Sequence, residues 1–180
     1  MTLDSYFGER VEIADLLARA GEPSLLNVYQ TDLPKVLVLV VASRFESDVV
    51  SHIEEFFTAT SKHETAPFFV KKKALTRQYH QLFDWDRNTA TRFINFFGPA
   101  CEKNFTAMSQ EHEWLDKSVA DFLLLGRTRN QLVHSDIASY SMTLTPDEVK
   151  DGYISATRFV QSIPHIIRAE PLPRVEDESG

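Results

Sequence analysis

The sequence predicts an all-α domain, a bundle of about five or six helices. Its 180 residues are 43% hydrophobic and 25% charged, the balance of a globular protein long enough to bury a core. Apolar side chains recur three and four residues apart over long stretches, and no stretch gives a convincing strand pattern. We expect one helical domain over residues 1–169 and a disordered acidic tail over residues 170–180.

Two helices are expected in the first third of the chain. Residues 5–20 have the pattern of a short amphipathic helix that Gly21 ends. Residues 25–33 are expected to form an irregular connector. Pro34 suits the first turn of a second helix, in which apolar residues keep their 3–4 spacing as far as Phe57.

A third helix, at about residues 68–83, carries four cations, Lys71, Lys72, Lys73 and Arg77. A lysine triplet on a helix is usually a solvated face. In the alternative interpretation, these side chains form an electropositive edge that first meets an RNA backbone.

Three further helices complete the expected bundle. A short one ends near Phe97, where Gly98-Pro99 breaks the chain. A long one covers about residues 111–134. The last begins at Thr145-Pro146-Asp147-Glu148, where an N-cap residue and a first-turn proline precede acids, and it runs to about Ala169.

Four aromatic residues lie around the Gly98-Pro99 break. Their rings could stack on nucleic-acid bases, but their helical spacing favours the core. They are Phe93, Phe96, Phe97 and Phe105.

Charge and cysteine content limit the classes of partner and compartment. The net charge of −7 disfavours a protein that coats nucleic acid, although an enzyme can contact RNA transiently with local positive charge. Cys101 is alone, so no disulfide framework exists. The N-terminus lacks the pattern of a signal peptide, and the apolar run at residues 36–42 is too short for a membrane span. We expect a cytoplasmic protein without membrane association.

The long helix carries the pattern Arg129-Asn130-x-x-x-His134. On a helical wheel, Arg129 and Asn130 fall inside the apolar face. Because a buried, unpaired guanidinium is unfavourable, Arg129 should face a cleft, a partner chain or a carboxylate. Glu46 on the second helix is a candidate carboxylate, although it could equally belong to a solvated edge. The i, i+4 spacing lets Asn130 orient the His134 imidazole.

These residue types suit cleavage of a phosphodiester. His134 could take the proton of a ribose 2′-hydroxyl while Arg129 neutralises charge on the phosphorane, with Arg127 as an auxiliary cation. The reaction needs no cofactor and no metal, and the sequence has no cluster with metal-ligand spacing. One imidazole cannot easily serve both sides of a phosphate, so a homodimer that joins two motifs is expected.

The motif resembles the Arg-x4–6-His signature of the HEPN superfamily, in the form with Asn directly after Arg. Residues 42–46 and 95–98 resemble its RiboL-PSP-associated branch. Over about residues 33–168 this resemblance implies a HEPN-like up-and-down helical bundle, pairing through the motif face and metal-independent endoribonuclease activity. It also implies a toxin–antitoxin or defence role, with an antitoxin or defence-system partner. The family often has a small residue, commonly Gly, directly after the histidine, where this chain has Ser135-Asp136.

Other interpretations of the motif stay open. Arg129 and Asn130 could tie down a helix junction while His134 caps the helix C-terminus. The domain could also be a non-catalytic HEPN-like dimerisation, RNA-binding or adaptor module. A second Arg–His spacing, Arg158 to His165, lacks the adjacent Asn and is treated as chance.

Overall fold

The computed structural model describes residues 2–173 and contains helices, turns and loops, with no strand in that range. Five helices are long and three are short, and a π-helical turn at Lys71–Leu75 follows the first of the short ones. The all-α prediction is confirmed. The helices are α1 (Leu3–Arg19), α2 (Pro23–Thr60), α3 (Thr65–Val70), α4 (Tyr79–Leu82), α5 (Thr91–Asn95), α6 (Pro99–Glu111), α7 (Trp114–His134) and α8 (Pro146–Arg168).

The core lies where α2, α7 and α8 pack against one another. One buried phenylalanine from each helix meets there, with ring centroids 5.6 Å apart for Phe45 and Phe122 and 5.2 Å apart for Phe122 and Phe159. Helix α1 joins this core through Phe7, which stacks on Tyr153 of α8 at 6.0 Å. The motif helix α7 is therefore held by packing along its length.

The connector expected over residues 25–33 is wrong, because α2 is a single helix from Pro23 to Thr60 with Pro34 in its interior. A proline inside a helix removes one backbone hydrogen bond, and packing has to compensate for that loss. The Tyr29 hydroxyl donates to the Arg10 carbonyl of α1 at 3.1 Å, so the first turns of α2 are paired with α1. Tertiary contacts here override the local signal.

The third helix expected over residues 68–83 is also wrong, since α3, the π-helical turn and α4 replace it. The Thr76 amide donates to the Lys71 carbonyl at 2.9 Å, five residues back, which closes the wider turn. Arg77 then takes a left-handed φ of 61°, which stops the helix. The lysine triplet lies in the π-helical turn.

The expected helix boundaries around Gly98 and Thr145 are present. Gly98 has a φ of 90°, a conformation that favours glycine, directly before α6. At the start of α8, the Thr145 hydroxyl accepts from the Glu148 amide at 3.2 Å. The Glu148 carboxylate accepts from the Thr145 amide at 2.8 Å, and this bond lowers the pKa of Glu148.

The structure describes four residues of the acidic tail that was expected from residue 170. The Glu170 carbonyl accepts from the Asn104 amide group at 3.0 Å, and Leu172 packs against the core. The predicted disorder concerns mainly residues 174–180, which lie outside the described residues. None of the described helices is both long and apolar enough to span a bilayer.

Candidate active site

Helix α7 brings four of the predicted site residues to one open groove of about 630 Å³ near its C-terminal end. Arg127, Arg129, Asn130 and His134 all line this space, which we call the motif groove. The two catalytic candidates and two of the supporting residues therefore face the same volume.

Arg129 lies beside a carboxylate from another helix. Its Nη2 atom is 3.7 Å from Oε2 of Glu46, which α2 carries. The two side chains are 35% and 40% exposed, so the ion pair lies at the rim of the groove and not in the core. The guanidinium thus has both a charged partner and access to the groove.

Asn130 contacts Arg129 and not His134. Nη1 of Arg129 donates to Oδ1 of Asn130 at 3.1 Å, so the guanidinium is held from two sides. The expected contact of Asn130 with the imidazole is absent from the described residues. Within residues 2–173, the exposed His134 side chain makes no hydrogen bond, which leaves both ring nitrogens accessible to a substrate.

Three residues from outside α7, none of them predicted from the sequence, also line the motif groove. They are Trp85, His80 and Asp86. The Trp85 indole packs directly on the motif helix, because a Cβ added to Gly126 would lie 2.1 Å from Cζ3 of Trp85. The indole N–H donates to the His80 carbonyl at 2.8 Å and fixes the ring. The available signal was Gly126 itself, since glycine inside a long helix is unfavourable and often marks a close approach.

Tyr79 lies behind the ion pair. With Trp85, Gly126 and Arg129 it lines a small cavity beside the motif groove. Burial raises the pKa of the Tyr79 phenol, the nearby Glu46 charge raises it further, and Arg129 opposes the shift. The phenol therefore stays neutral at physiological pH.

The loop after His134 is fixed by a buried lysine. Lys35 of α2 is 2% exposed, and its Nζ donates to the Ile137 carbonyl at 3.0 Å and to Asp32 at 3.1 Å. The carboxylate of Asp136 accepts from the Ala138 amide at 3.1 Å. Asp136, the second residue after the motif histidine, thus closes a turn directly after the motif.

Two apolar residues beside the motif are exposed. Val133 of α7 is 44% exposed, and Ile137 in the following loop is equally exposed. Leu132 beside it is 0% exposed, so the last turn of α7 buries Leu132 and presents Val133 to the motif groove.

The cations of residues 71–77 do not line the motif groove. Lys71 pairs with Glu54 at 2.9 Å, and the Nζ of Lys72 lies 5.7 Å from the Phe68 ring centroid. Lys73 lines a different groove, and Arg77 is exposed. Their contact with RNA stays a prediction.

The second Arg–His spacing also brings its two residues to one groove, at α8. The Arg158 guanidinium lies 4.0 Å from the Trp114 ring centroid in a cation–π contact. Among residues 2–173, no carboxylate lines this groove, whereas Glu46 pairs with Arg129 at the motif groove.

Among residues 2–173, no three or more His, Cys, Asp and Glu side chains are grouped so that they could hold a metal ion. The polar groups that the motif groove offers are guanidinium, imidazole and amide side chains, with the Asp86 carboxylate.

Comparison with known proteins identifies one matching family. The family model described as RiboL-PSP-HEPN matches residues 4–169. No curated protein and no solved structure matches the chain. The match covers nearly the whole helical bundle, including α7 and its motif. The chain therefore belongs to the RiboL-PSP-HEPN family.

Proposed function

We propose that this protein is a metal-independent endoribonuclease of HEPN type. The observation that carries the proposal is the motif groove, in which Arg129, held between Glu46 and Asn130, faces the same space as His134. Membership of the RiboL-PSP-HEPN family supports a function on RNA or nucleotides.

In the proposed reaction, the His134 imidazole takes the proton of a ribose 2′-hydroxyl and the 2′-oxygen attacks the adjacent phosphorus. The bond to the 5′-oxygen breaks, which yields a 2′,3′-cyclic phosphate and a 5′-hydroxyl that takes up a proton. Arg129 neutralises the additional negative charge on the phosphorane. DNA lacks the attacking hydroxyl and is not cleaved.

A second copy of the chain would supply the acid that protonates the leaving oxygen. The motif groove is open on one side, and the exposed Val133 and Ile137 lie next to the motif. Apolar side chains at this position suit a symmetric contact that buries them and brings two motifs together. We infer a homodimer through this face.

The biological role follows from the same proposal. A ribonuclease of this family would act as a toxin or defence effector whose activity an antitoxin or defence-system partner restrains. Growth arrest on induction, lost in His134→Ala, is the expected result in cells.

The decisive assay incubates the full chain with mixed single-stranded RNA in the presence of EDTA and identifies the new ends chemically. We expect cyclic phosphate ends, and we expect Arg129→Ala and His134→Ala each to lower the cleavage rate by at least about 100-fold. Arg158→Ala and His165→Ala remove the same side-chain types from the second groove and should leave the rate unchanged.

Two results would count against this function. Binding of RNA without cleavage would support the alternative, a non-catalytic HEPN-like dimerisation, RNA-binding or adaptor module. Cleavage that persists in both motif variants would assign the activity to another site or to a contaminant.

A further inference from the structure

A second groove, of about 430 Å³, lies between α2, the π-helical turn and α5. We call it the π-turn groove. Lys73 and Arg92 line it, and no Asp or Glu of residues 2–173 does so, although the chain has a net charge of −7. This distribution makes the groove a local positive site that suits an anion.

The two cations of the π-turn groove are available to a ligand. Within residues 2–173, neither Lys73 nor Arg92 takes part in a salt bridge, whereas the neighbouring Lys71 is paired with Glu54 at 2.9 Å. Both side chains belong to exposed residues. A phosphate between them would neutralise charges that the protein leaves unpaired.

The wall of the groove also presents an aromatic ring. Phe96 lines the groove and is 59% exposed, contrary to the expectation that it belongs to the core. Its neighbour Phe97 also lines the groove but is partly buried and packs on Phe93, with ring centroids 5.3 Å apart. The exposed face of Phe96 is suited to stacking with a base of any sequence.

The groove offers hydrogen-bonding groups and an apolar floor beside that ring. The amides of Gln78 and Gln81 line it and can both donate and accept. Beneath them lie Leu75 and Phe93, which are 4% and 0% exposed. A planar, partly polar group that carries a phosphate matches this combination, and a nucleotide has these features.

The local backbone is of a kind found at functional sites. A π-helical turn forms one side of the groove, and Arg77, two residues after its end, has a left-handed φ of 61°. Both features are unfavourable, and both are enriched where a protein binds or reacts.

Helix α4 separates the π-turn groove from the motif groove. His80 of α4 lines the motif groove, and Gln81, the next residue, lines the π-turn groove. The two grooves share no lining residue, yet one strand could cross α4 and occupy both.

We propose that the π-turn groove binds one nucleotide of a single-stranded RNA, with the base on Phe96 and the phosphate between Lys73 and Arg92. The identity of the strand as substrate rests on the proposed function. The groove would then hold RNA at a distance from the scissile bond and set which part of a strand reaches His134.

The test measures binding without cleavage. The parent is full-length His134→Ala protein, titrated with a fluorescent single-stranded RNA of about 12 nucleotides. Two variants are made in this parent: Phe96→Ser, and the double variant Lys73→Gln with Arg92→Gln. We expect Phe96→Ser to raise Kd about 10-fold, and the double variant to lower the slope of log Kd against log salt by about 1 to 2. Phe69→Ser removes an equally exposed ring outside the groove, and Lys103→Gln with Arg19→Gln removes two exposed cations elsewhere; both should bind as the parent does.

Competition identifies the bound unit. Displacement by AMP supports a single nucleotide, and displacement by unlabelled RNA alone supports a longer strand. Unchanged RNA binding in both groove variants would overturn the proposal, as would displacement by an acidic peptide but not by AMP or RNA. Because the parent protein lacks His134, this result does not depend on whether the wild-type chain cleaves RNA.

Discussion

The carboxylate of Glu46 on α2 lies 3.7 Å from the guanidinium of Arg129 on α7, and the same guanidinium donates to Asn130 at 3.1 Å. Both members of the ion pair are more than one-third exposed, so the pair stabilises the fold by only about 0 to 1 kcal/mol. Its main consequence is geometric, because two contacts from different directions fix the guanidinium at the groove.

Replacing Glu46 with Gln should therefore reduce activity without destabilising the protein. The neutral amide holds Arg129 less firmly, and a misplaced catalytic group can lower a rate about 10- to 100-fold. Cleavage rates and thermal unfolding, measured on the same preparation, check this. Asp48→Asn breaks the pair of Arg44 and Asp48, which lie two residues before and two residues after Glu46 on α2, and should leave the rate unchanged. A large fall in Tm for Glu46→Gln would show that the pair is structural instead.

Gly126→Ala should destabilise the protein, although alanine normally favours a helix. The added methyl would overlap the Trp85 indole, with 2.1 Å to Cζ3, and that ring is packed against Phe83 and Phe122. Forcing such a contact costs about 1 to 3 kcal/mol. Chemical denaturation should show this loss, whereas Gly8→Ala, with no atom within 4 Å of the new methyl, should be neutral or stabilising.

A double-mutant cycle sharpens that prediction. In a Trp85→Ala background the methyl meets no ring, so Gly126→Ala should stabilise by up to about 1 kcal/mol through helix propensity. If Gly126→Ala destabilises the wild-type chain and the Trp85→Ala variant equally, contact with Trp85 does not cause the loss of stability.

Apolar spacing and capping signals predicted the helices that nearby residues or a single apolar face stabilise. The apolar spacing of α7 and the capping box at Thr145 gave correct helices because each signal acts within a few residues. Pro34 was misleading, because the contacts of α2 with α1 are distant in sequence. The π-helical turn at Lys71–Leu75 could not be predicted from the sequence. Its hydrogen bonds span five residues and those of an α-helix span four, and residue composition does not signal this difference.

The same reasoning applies to the candidate site. Arg129, Asn130 and His134 lie within six residues of one helix, so one wheel placed them together. Trp85 belongs to the loop between α4 and α5, and only tertiary packing places it on Gly126. A sequence pattern records the face of a helix, but not what lies opposite that face.

Lys35→Met should loosen the loop that follows the motif. The substitution keeps an unbranched apolar chain, but the buried ammonium no longer donates to the Ile137 carbonyl. Losing a hydrogen bond from a charged donor costs about 1.5 to 3 kcal/mol. Hydrogen exchange should accelerate at residues 135–145 before it does so in α8. Asp32→Asn, which leaves the bond to Ile137 intact, should change exchange much less.

Stability should fall as the solution is acidified, and His52 is one cause. Partial burial lowers the pKa of His52 below its usual 6.5 and Arg168 adds to this, while Glu55 and Asp48 oppose it. Its buried Nδ1 has no hydrogen-bond partner within residues 2–173. A folded pKa below the unfolded one means that the unfolded chain takes up the proton first as the pH falls. This contribution to stability is therefore complete well above pH 6.5 and is lost as the pH falls through 6.5 towards the folded pKa.

The free energy of unfolding, measured by urea denaturation between about pH 8 and 5, tests this assignment. His52→Gln, which cannot titrate, should flatten the curve near pH 6.5. Carboxylates such as Glu148, whose pKa is lowered, act at more acidic pH, because they lose their stabilising contacts only when they become protonated. If His52→Gln leaves the curve unchanged over this range, then other groups carry the pH dependence, and the imidazole is as well solvated in the folded chain as in the unfolded one.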